Sequence, residues 1–209
     1  FRSVKLKAKP CVHVEDIFIK PTLLDSNENG QLDIKVKIST TKGNDIRVIA
    51  LLRDKSTVCW SRDIPTNYSE NSIDNCIAIR GSISEELLVK INAWDHHAPY
   101  FYQFYLEIRD KDGSLIEVVP YPIGFRRVEI IDKVIYLNGK RLILTGVNRH
   151  EWEPHVGRCI TEKEMLLDLE CFQKNHINAV RTCHYPNQIP FYYMCDEMGI
   201  YMMAETNLE

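Results

Sequence analysis

The sequence predicts two regions of different fold class, an all-β sandwich over about residues 1–125 and an α/β region over residues 126–209. The first prediction rests on several short apolar runs with a two-residue period and no helical period among them. The second rests on apolar runs of strand length that alternate with segments of helical period, which is typical of parallel strands joined by helices. A sheet of only three such strands would leave an apolar edge uncovered, so we expect the α/β region to be the start of a larger unit.

The β region shows its clearest alternation between residues 32 and 38. The apolar positions there are Leu32, Ile34, Val36 and Ile38. Polar residues separate them, which predicts a strand with one buried face. Further strands are predicted over residues 46–52, 86–94, 102–108 and 115–119. Asp112-Gly113 marks a tight hairpin before the last of these. The number and spacing of the strands suggest a sandwich of immunoglobulin-like size.

The α/β region opens with a hairpin whose turn is Asn138-Gly139, a pair typical of type I′ turns. A strand is predicted over residues 142–147, and a polar loop over residues 148–159. Thr161 and Glu164 form a capping-box pattern that starts a helix ending near Lys174. The buried stripe of this helix is predicted to contain Met165, Leu169 and Phe172.

A second strand is predicted over residues 177–182 and a third over residues 200–204. Between them Pro190 suits the first turn of a helix, because a proline has no N–H to leave unpaired there. The apolar face of this second helix is predicted to consist of Phe191, Met194, Cys195 and Met198. Gly199 then ends the helix.

The composition excludes two classes of partner. A formal net charge of −3 and the lack of a Lys/Arg cluster offer no footprint for nucleic acid. No apolar run approaches the roughly 20 residues of a membrane span. Seven scattered cysteines without a CxxC pair favour reduced, structural thiols in a cytoplasmic protein. Cys171 and Cys195 are expected to be buried on their helices.

Polar side chains follow each of the three predicted parallel strands. His150 comes after the first strand, and Arg181 and His184 lie at and beyond the end of the second. The polar residues after the third strand are Glu205, Asn207 and Glu209. In α/β folds the carboxyl ends of parallel strands are where binding and catalysis collect, so we expect these residues to form one pocket wall.

Taken singly, these residues admit structural interpretations. His150 could be a solvated loop histidine, and Arg181 needs an anionic partner that could be structural or catalytic. The two carboxylates and the amide at 205–209 suit Mg²⁺, but they would equally suit a polar loop that binds nothing. His150-Glu151 does not begin a zinc-binding HExxH helix, because the next histidine is one position too far away. Cys183 is expected to be packed in the interior rather than paired with His184 as a nucleophile.

Several of these stretches together resemble glycoside hydrolase family 2, and most of all its β-galactosidases. The resemblance rests on YLNGKR at 136–141, GVNRHE at 146–151, NAVRTCHYP at 178–186 and ETNLE at 205–209. Cys195-Asp196 and Gly199 to Tyr201 add to it, and GFR at 124–126 resembles the family's entry into its barrel. The resemblance is strong from about residue 125 onward and looser before it. Ala204 departs from the family's pattern, which often has Asp there.

The resemblance implies an immunoglobulin-like domain over 1–125 and the first βαβαβ portion of a (β/α)₈ TIM barrel over 126–209. It implies a cytoplasmic, retaining β-galactosidase acting on terminal β-D-galactosides such as lactose, in which this chain is an internal fragment. The acid/base and nucleophile glutamates are then expected after Glu209, so the fragment alone should be inactive and contain no catalytic residue. The partners implied are a β-galactoside sugar and the remaining domains of the parent chain, with a homo-oligomer expected for the full-length enzyme.

Position by position, the resemblance implies that His150 and His184 bind substrate hydroxyls and that Arg181 orients the nucleophile. Glu209 is implied as a ligand of a Mg²⁺ cofactor, and Glu205 and Asn207 as possible site residues. Two alternatives stay open. One is a β-glucuronidase or β-mannosidase of the same family, and the other is a non-catalytic interaction module or complementing subunit.

Overall fold

The computed structural model describes residue 4 and residues 6–40, 46–73 and 76–207. These residues form two compact units. One comprises Leu6–Ala93 and Tyr100–Val128, and the other comprises Trp94–Pro99 and the chain from Glu129 onward. The short segment Trp94–Pro99, which the sequence places in the β region, therefore belongs to the second unit.

The first unit is built from two antiparallel four-stranded sheets. Its strands are β1 (His13–Leu23), β2 (Gly30–Thr40), β3 (Ile46–Asp54), β4 (Thr57–Asp63), β5 (Thr66–Ile73), β6 (Cys76–Leu87), β7 (Tyr102–Asp110) and β8 (Leu115–Ile123). The strand order is β1-β2-β6-β5 in one sheet and β4-β3-β7-β8 in the other. Inward-facing residues of both sheets share one hydrophobic core, in which the predicted positions 32, 34, 36 and 38 of β2 are all buried. The sandwich prediction is confirmed.

One predicted strand of the sandwich is misplaced. The strand lies at Cys76–Leu87 rather than at 86–94, and Leu88 just beyond it is 93% exposed. The inward side of β6 includes Gly81, where an added Cβ would lie 2.8 Å from the Ile64 side chain. Close packing therefore requires a glycine at this position, and Gly81 interrupts the alternation of Ile77, Ile79 and Ile83 along the strand.

The second unit contains six strands and two helices in the described part of the chain. They are β9 (Val128–Ile131), β10 (Val134–Leu137), β11 (Lys140–Arg141), β12 (Gly146–Arg149), α1 (Glu162–Lys174), β13 (Ala179–Thr182), α2 (Ile189–Glu197) and β14 (Tyr201–Met203). Asn138 and Gly139 both have positive φ, which confirms the type I′ turn between β10 and β11. Strands β12, β13 and β14 form a parallel sheet in that order, as predicted.

Both helices pack against this parallel sheet through the predicted residues. Thr161 and Glu164 form the capping box of α1, and Met165, Leu169 and Phe172 are its buried side chains. Helix α2 has Pro190 in its first turn and buries Phe191 and Cys195. Cys171, in contrast to the prediction, is exposed. The adjacent residue Phe172 is buried. Adjacent residues of a helix point about 100° apart, so Cys171 faces away from the core.

Strand β12 begins four residues later than the sequence suggests. Ile143 and Leu144 are 67% and 48% exposed, and the Asn178 amide binds the backbone at this point. Its Oδ1 accepts from the Thr145 N–H at 2.8 Å, and its Nδ2 donates to the Ile143 carbonyl at 2.9 Å. The backbone before Gly146 is therefore hydrogen-bonded to a side chain, and the strand-to-strand ladder starts only with Gly146 opposite Ala179.

Neither helix of the described chain has the length and apolar character that a bilayer crossing requires.

Candidate functional site

The carboxyl ends of β12, β13 and β14 bring the predicted polar residues together. Register pairs Arg149 with Thr182 and Arg181 with Met203, so the three strands end at nearly the same level. The rings of His150 and His184 lie 5.5 Å apart between centroids and are inclined by 73°. Both histidines are exposed. His150 and His184 therefore meet at one edge of the sheet, as expected.

Arg181 and Glu205 form an ion pair beside these histidines. The guanidinium of Arg181 donates to Glu205 Oε1 from Nε, and its Nη2 lies 3.4 Å from His184 Nδ1. The other carboxylate oxygen of Glu205 is 3.3 Å from the same His184 nitrogen. Within the described residues, Glu205 is the anionic partner that Arg181 requires. The Arg181 side chain is 37% exposed, so it is less buried than the sequence predicts.

Strand β13 also fixes the backbone of Glu205. The Glu205 N–H donates to the Thr182 hydroxyl at 3.0 Å, and Thr182 is fully buried. Because Thr182 sits at the end of β13, this bond places the first turn after β14 directly beside the loop that contains His184. Asn207 lies two residues further on, exposed and with a φ of +59°. Glu209 lies outside the described residues.

Aromatic side chains form an open pocket on the other side of His150. The pocket has a volume of about 190 Å³ and is lined by His150, Trp152, Arg158 and Tyr185. The Trp152 side chain is 58% exposed, and the Arg158 guanidinium carbon lies 5.4 Å from the centre of the Tyr185 ring. Apolar ring faces next to hydrogen-bonding imidazoles are a suitable surface for a ligand with both apolar and hydroxyl-bearing faces.

A buried polar network under the two loops was missed by the sequence reasoning. Arg149, at the end of β12, is 5% exposed and donates to Asp168 on α1 and to Asn187, each at 2.8 Å. Its guanidinium also lies over the Phe191 ring at 3.9 Å from the centroid. A charged residue close to the end of a predicted strand was the signal that could have found it, since a charge that becomes buried needs partners.

Glu151 and Tyr185 join the loop after β12 to the loop after β13. Glu151 is 4% exposed and its Oε1 accepts from the Gln188 N–H at 2.5 Å. The Tyr185 hydroxyl accepts from the Glu151 N–H at 3.1 Å. His150 directly precedes Glu151, and His184 directly precedes Tyr185. These hydrogen bonds therefore join the two loops that carry the imidazoles.

Both regions of the chain match one protein family. Residues 12–126 match "Glycosyl hydrolases family 2", and residues 128–209 match "Glycosyl hydrolases family 2, TIM barrel domain". The whole chain is 45% identical to the "Beta-galactosidase large subunit" of Lactobacillus acidophilus and 43% identical to the "Beta-galactosidase" of Streptococcus thermophilus. It spans 32% and 19% of the lengths of these two curated relatives.

Solved structures share the fold. A β-glucuronidase from Parabacteroides merdae superposes with a TM-score of 0.78 at 24% identity, over 94% of this chain and 24% of its own. A β-glucuronidase from Bacteroides uniformis superposes with a TM-score of 0.76 at 26% identity, over 95% of this chain and 23% of its own. The sandwich and the parallel strands of this chain thus correspond to a fold seen in larger glycosidases. With family matches that cover nearly all of its residues, the chain belongs to glycosyl hydrolase family 2.

Proposed function

We propose that this chain is part of a retaining β-galactosidase that hydrolyses terminal β-D-galactosides such as lactose. The observation that carries the proposal is the meeting of His150 and His184, 5.5 Å apart, beside the Arg181–Glu205 ion pair at the carboxyl edge of a parallel sheet. The names of the curated relatives, at 35–45% identity over the full length of the chain, supply the substrate class.

In this proposal the two imidazoles hydrogen-bond hydroxyl groups of the galactosyl ring. Such contacts accelerate the reaction when they strengthen as the ring approaches the oxocarbenium-like transition state. The exposed faces of Trp152 and Tyr185 then pack against apolar parts of the substrate. Retaining hydrolysis also needs an acid/base and a nucleophile with carboxyls about 5–5.5 Å apart. We propose that both glutamates follow Glu209 in the parent chain.

Arg181 is proposed to orient the nucleophile and keep it ionised. Its guanidinium has five N–H donors, and Glu205 engages one face of them. The guanidinium is 37% exposed, so a second carboxylate can reach it from solvent. In the complete protein Arg181 would then bridge Glu205 and the nucleophile.

The described residues do not by themselves make a magnesium site. Glu205 offers carboxylate oxygens, but they are engaged by Arg181 and His184, and Mg²⁺ needs near-octahedral oxygen ligands. Glu209 is the ligand that we propose for Mg²⁺ in the parent enzyme. A cytoplasmic location and a homo-oligomeric parent are likewise proposals. The free thiols of Cys11, Cys59 and Cys171 suit a reducing compartment.

A β-glucuronidase is the second candidate, because the solved structures named above are glucuronidases. The β-galactosidases are more similar in sequence, at 45% identity against 26% or less, and this supports the galactoside as the first candidate.

A panel of nitrophenyl glycosides assayed with the complete parent protein separates the two candidates. We expect kcat/KM for the β-D-galactoside to exceed those for the β-D-glucuronide and β-D-mannoside by at least about 100-fold, because a site built to bind a particular hydroxyl strongly rejects analogues that leave its polar groups unpaired. Preference for the glucuronide or the mannoside would overturn the assignment. Failure to hydrolyse any of the three would favour a non-catalytic module.

A further inference from the structure

A buried thiol lies next to the two imidazoles of the pocket. One ring nitrogen of His150, one of His184 and the sulfur of Cys183 all lie within 4.8 Å of one another. Cys183 is 2% exposed, whereas both histidines are exposed. Two adjacent strands supply the group, since β12 ends just before His150 and β13 just before Cys183. The proposed hydrogen bonds to a sugar explain the two histidines but not the position of the Cys183 thiol.

Two imidazoles and one thiol are the donor set of a borderline-soft divalent ion. Zn²⁺ binds Cys sulfur at about 2.3 Å and His nitrogen at about 2.0–2.1 Å, so tetrahedral ligands lie roughly 3.3–3.6 Å apart. The ligand atoms lie within 4.8 Å of one another, and the two exposed rings would rotate toward the buried sulfur to bring the separations into that range. Three protein ligands leave the fourth position for water. Mg²⁺ prefers oxygen ligands and is disfavoured here.

The surroundings of His184 favour this arrangement. Metal-binding histidines usually direct their second ring nitrogen at a carboxylate, which fixes the tautomer and makes the ligand more basic. His184 Nδ1 lies 3.3 Å from Glu205 Oε2, and this leaves Nε2 for a metal. The positive charge of Arg181 is the feature that opposes a cation, and its ion pair with Glu205 offsets that charge.

We propose that His150, Cys183 and His184 form a binding site for Zn²⁺ or a similarly soft divalent cation. The site shares both imidazoles with the proposed sugar contacts, so cation and sugar bind in competition. This competition rests on the proposed function, but the binding of the cation does not.

A second cluster of potential metal ligands provides a control for the metal-binding experiment. Asp95, His96 and His97 also bring three potential ligand atoms within 4.8 Å of one another. His96 Nδ1 there already makes a 2.8 Å hydrogen bond with the Tyr201 hydroxyl. This group contains no sulfur, so a thiolate signature tells the two sites apart.

Titration of the 209-residue chain with Zn²⁺ by calorimetry, and with Co²⁺ by absorption spectroscopy, tests the proposal. We expect one Zn²⁺ site with a near-ultraviolet thiolate-to-Co²⁺ charge-transfer band in the cobalt form. Cys183→Ser should abolish the band and weaken Zn²⁺ binding by at least about tenfold, equivalent to about 1.4 kcal/mol. His150→Ala changes an exposed side chain, so it should weaken binding without affecting folding. His97→Ala is the matched control and should leave this site intact.

Three outcomes would overturn the proposal. They are no zinc binding by the wild-type chain, a cobalt form without the thiolate band, and binding that His97→Ala removes while Cys183→Ser does not. None of these measurements involves catalysis, so they leave the galactosidase proposal untouched. Conversely, a parent protein without galactosidase activity would leave the zinc site standing. In an active parent enzyme, added Zn²⁺ should raise KM for the galactoside, and this rise should be smaller in Cys183→Ser than in the wild type.

Discussion

Arg149 is a buried charge that joins the end of β12 to helix α1 and to the loop after β13. It is nearly fully buried, yet its guanidinium donates to Asp168 on α1 and to Asn187 in the loop after β13. Removing one partner of a buried charge typically costs about 3–5 kcal/mol, because the other partner is left without compensation. The loops that present the two imidazoles are therefore held by a polar core rather than by apolar packing alone.

His184→Ala in the complete enzyme should affect catalysis far more than stability. We expect kcat/KM for a galactoside to fall by about tenfold to a hundredfold, equivalent to about 1.4–2.7 kcal/mol of transition-state stabilisation. The side chain is 48% exposed, so little packing is lost and the thermal midpoint should scarcely change. His155→Ala is the matched control, since that imidazole is 88% exposed and should matter to neither. Parallel losses of activity and stability on His184→Ala would indicate a packing role instead.

At the residue scale the sequence predicts which polar side chains gather but not what supports them. His150, His184 and Glu205 follow strands of a parallel sheet, and that local rule is enough to bring them to one edge. The burial of Glu151 depends on Gln188, 37 residues away, and on how two loops pack. No local pattern carries that information. The same limit applies to Arg181, whose partner Glu205 is 24 residues away.

Elements with local signals were predicted well, and those defined by distant partners were not. Helix α1 is started by its own capping box, and the β10–β11 hairpin by its own turn residues. Strand β6 has a weaker signal, because the glycine at position 81 is set by contacts with Ile64 and with Val36 of the neighbouring strand β2. The start of β12 is likewise fixed by a distant residue, the Asn178 side chain just before β13.

Gly199, at the end of α2, offers a test at the scale of an element. Its φ is +70°, and an added Cβ would lie 2.0 Å from the His96 carbonyl oxygen. We expect Gly199→Ala to destabilise the protein by more than about 3 kcal/mol, since a left-handed alanine alone costs roughly 1–2 kcal/mol and a backbone clash adds to it. The measurement is urea unfolding followed by tryptophan fluorescence.

Gly157→Ala is the matched control in the same unit. Gly157 has a φ of +64°, but an added Cβ there would meet nothing within 4 Å. This change should therefore cost only the conformational part, about 1–2 kcal/mol. Equal effects of the two substitutions would show that the contact between Gly199 and His96 contributes nothing.

Over the whole chain, the order of fold classes was predictable and the assignment of one short segment was not. Trp94–Pro99 lies within the β region by sequence but belongs to the second unit, where the Trp94 indole donates to the Asp196 carbonyl at 3.2 Å. His96 also bonds Tyr201 there. Burial lowers the pKa of His96, with a further contribution from His97. Which unit a loop joins is decided by contacts about 100 residues apart in sequence.

The 209-residue chain alone should not hydrolyse a chromogenic β-D-galactoside above the buffer rate. Retaining hydrolysis requires two carboxyls about 5–5.5 Å apart on opposite sides of the glycosidic bond. In the described part of the chain, the carboxylate beside the two imidazoles is Glu205, and Arg181 already engages it. The complete parent protein, assayed in parallel, is the positive control. Robust turnover by the 209 residues would mean that the proposed division of catalytic groups is wrong.

The amide of Asn178 has a consequence that reaches the opposite end of the sheet. It binds the backbone at both Ile143 and Thr145, just before β12 and β13 begin to pair. The imidazoles emerge after four paired residues, roughly 13 Å further along. A slip of one residue would turn the side chains of the shifted strand to the other face of the sheet. The Asn178 carboxamide thus helps to keep β12 and β13 in register from the end of the sheet opposite His150 and His184.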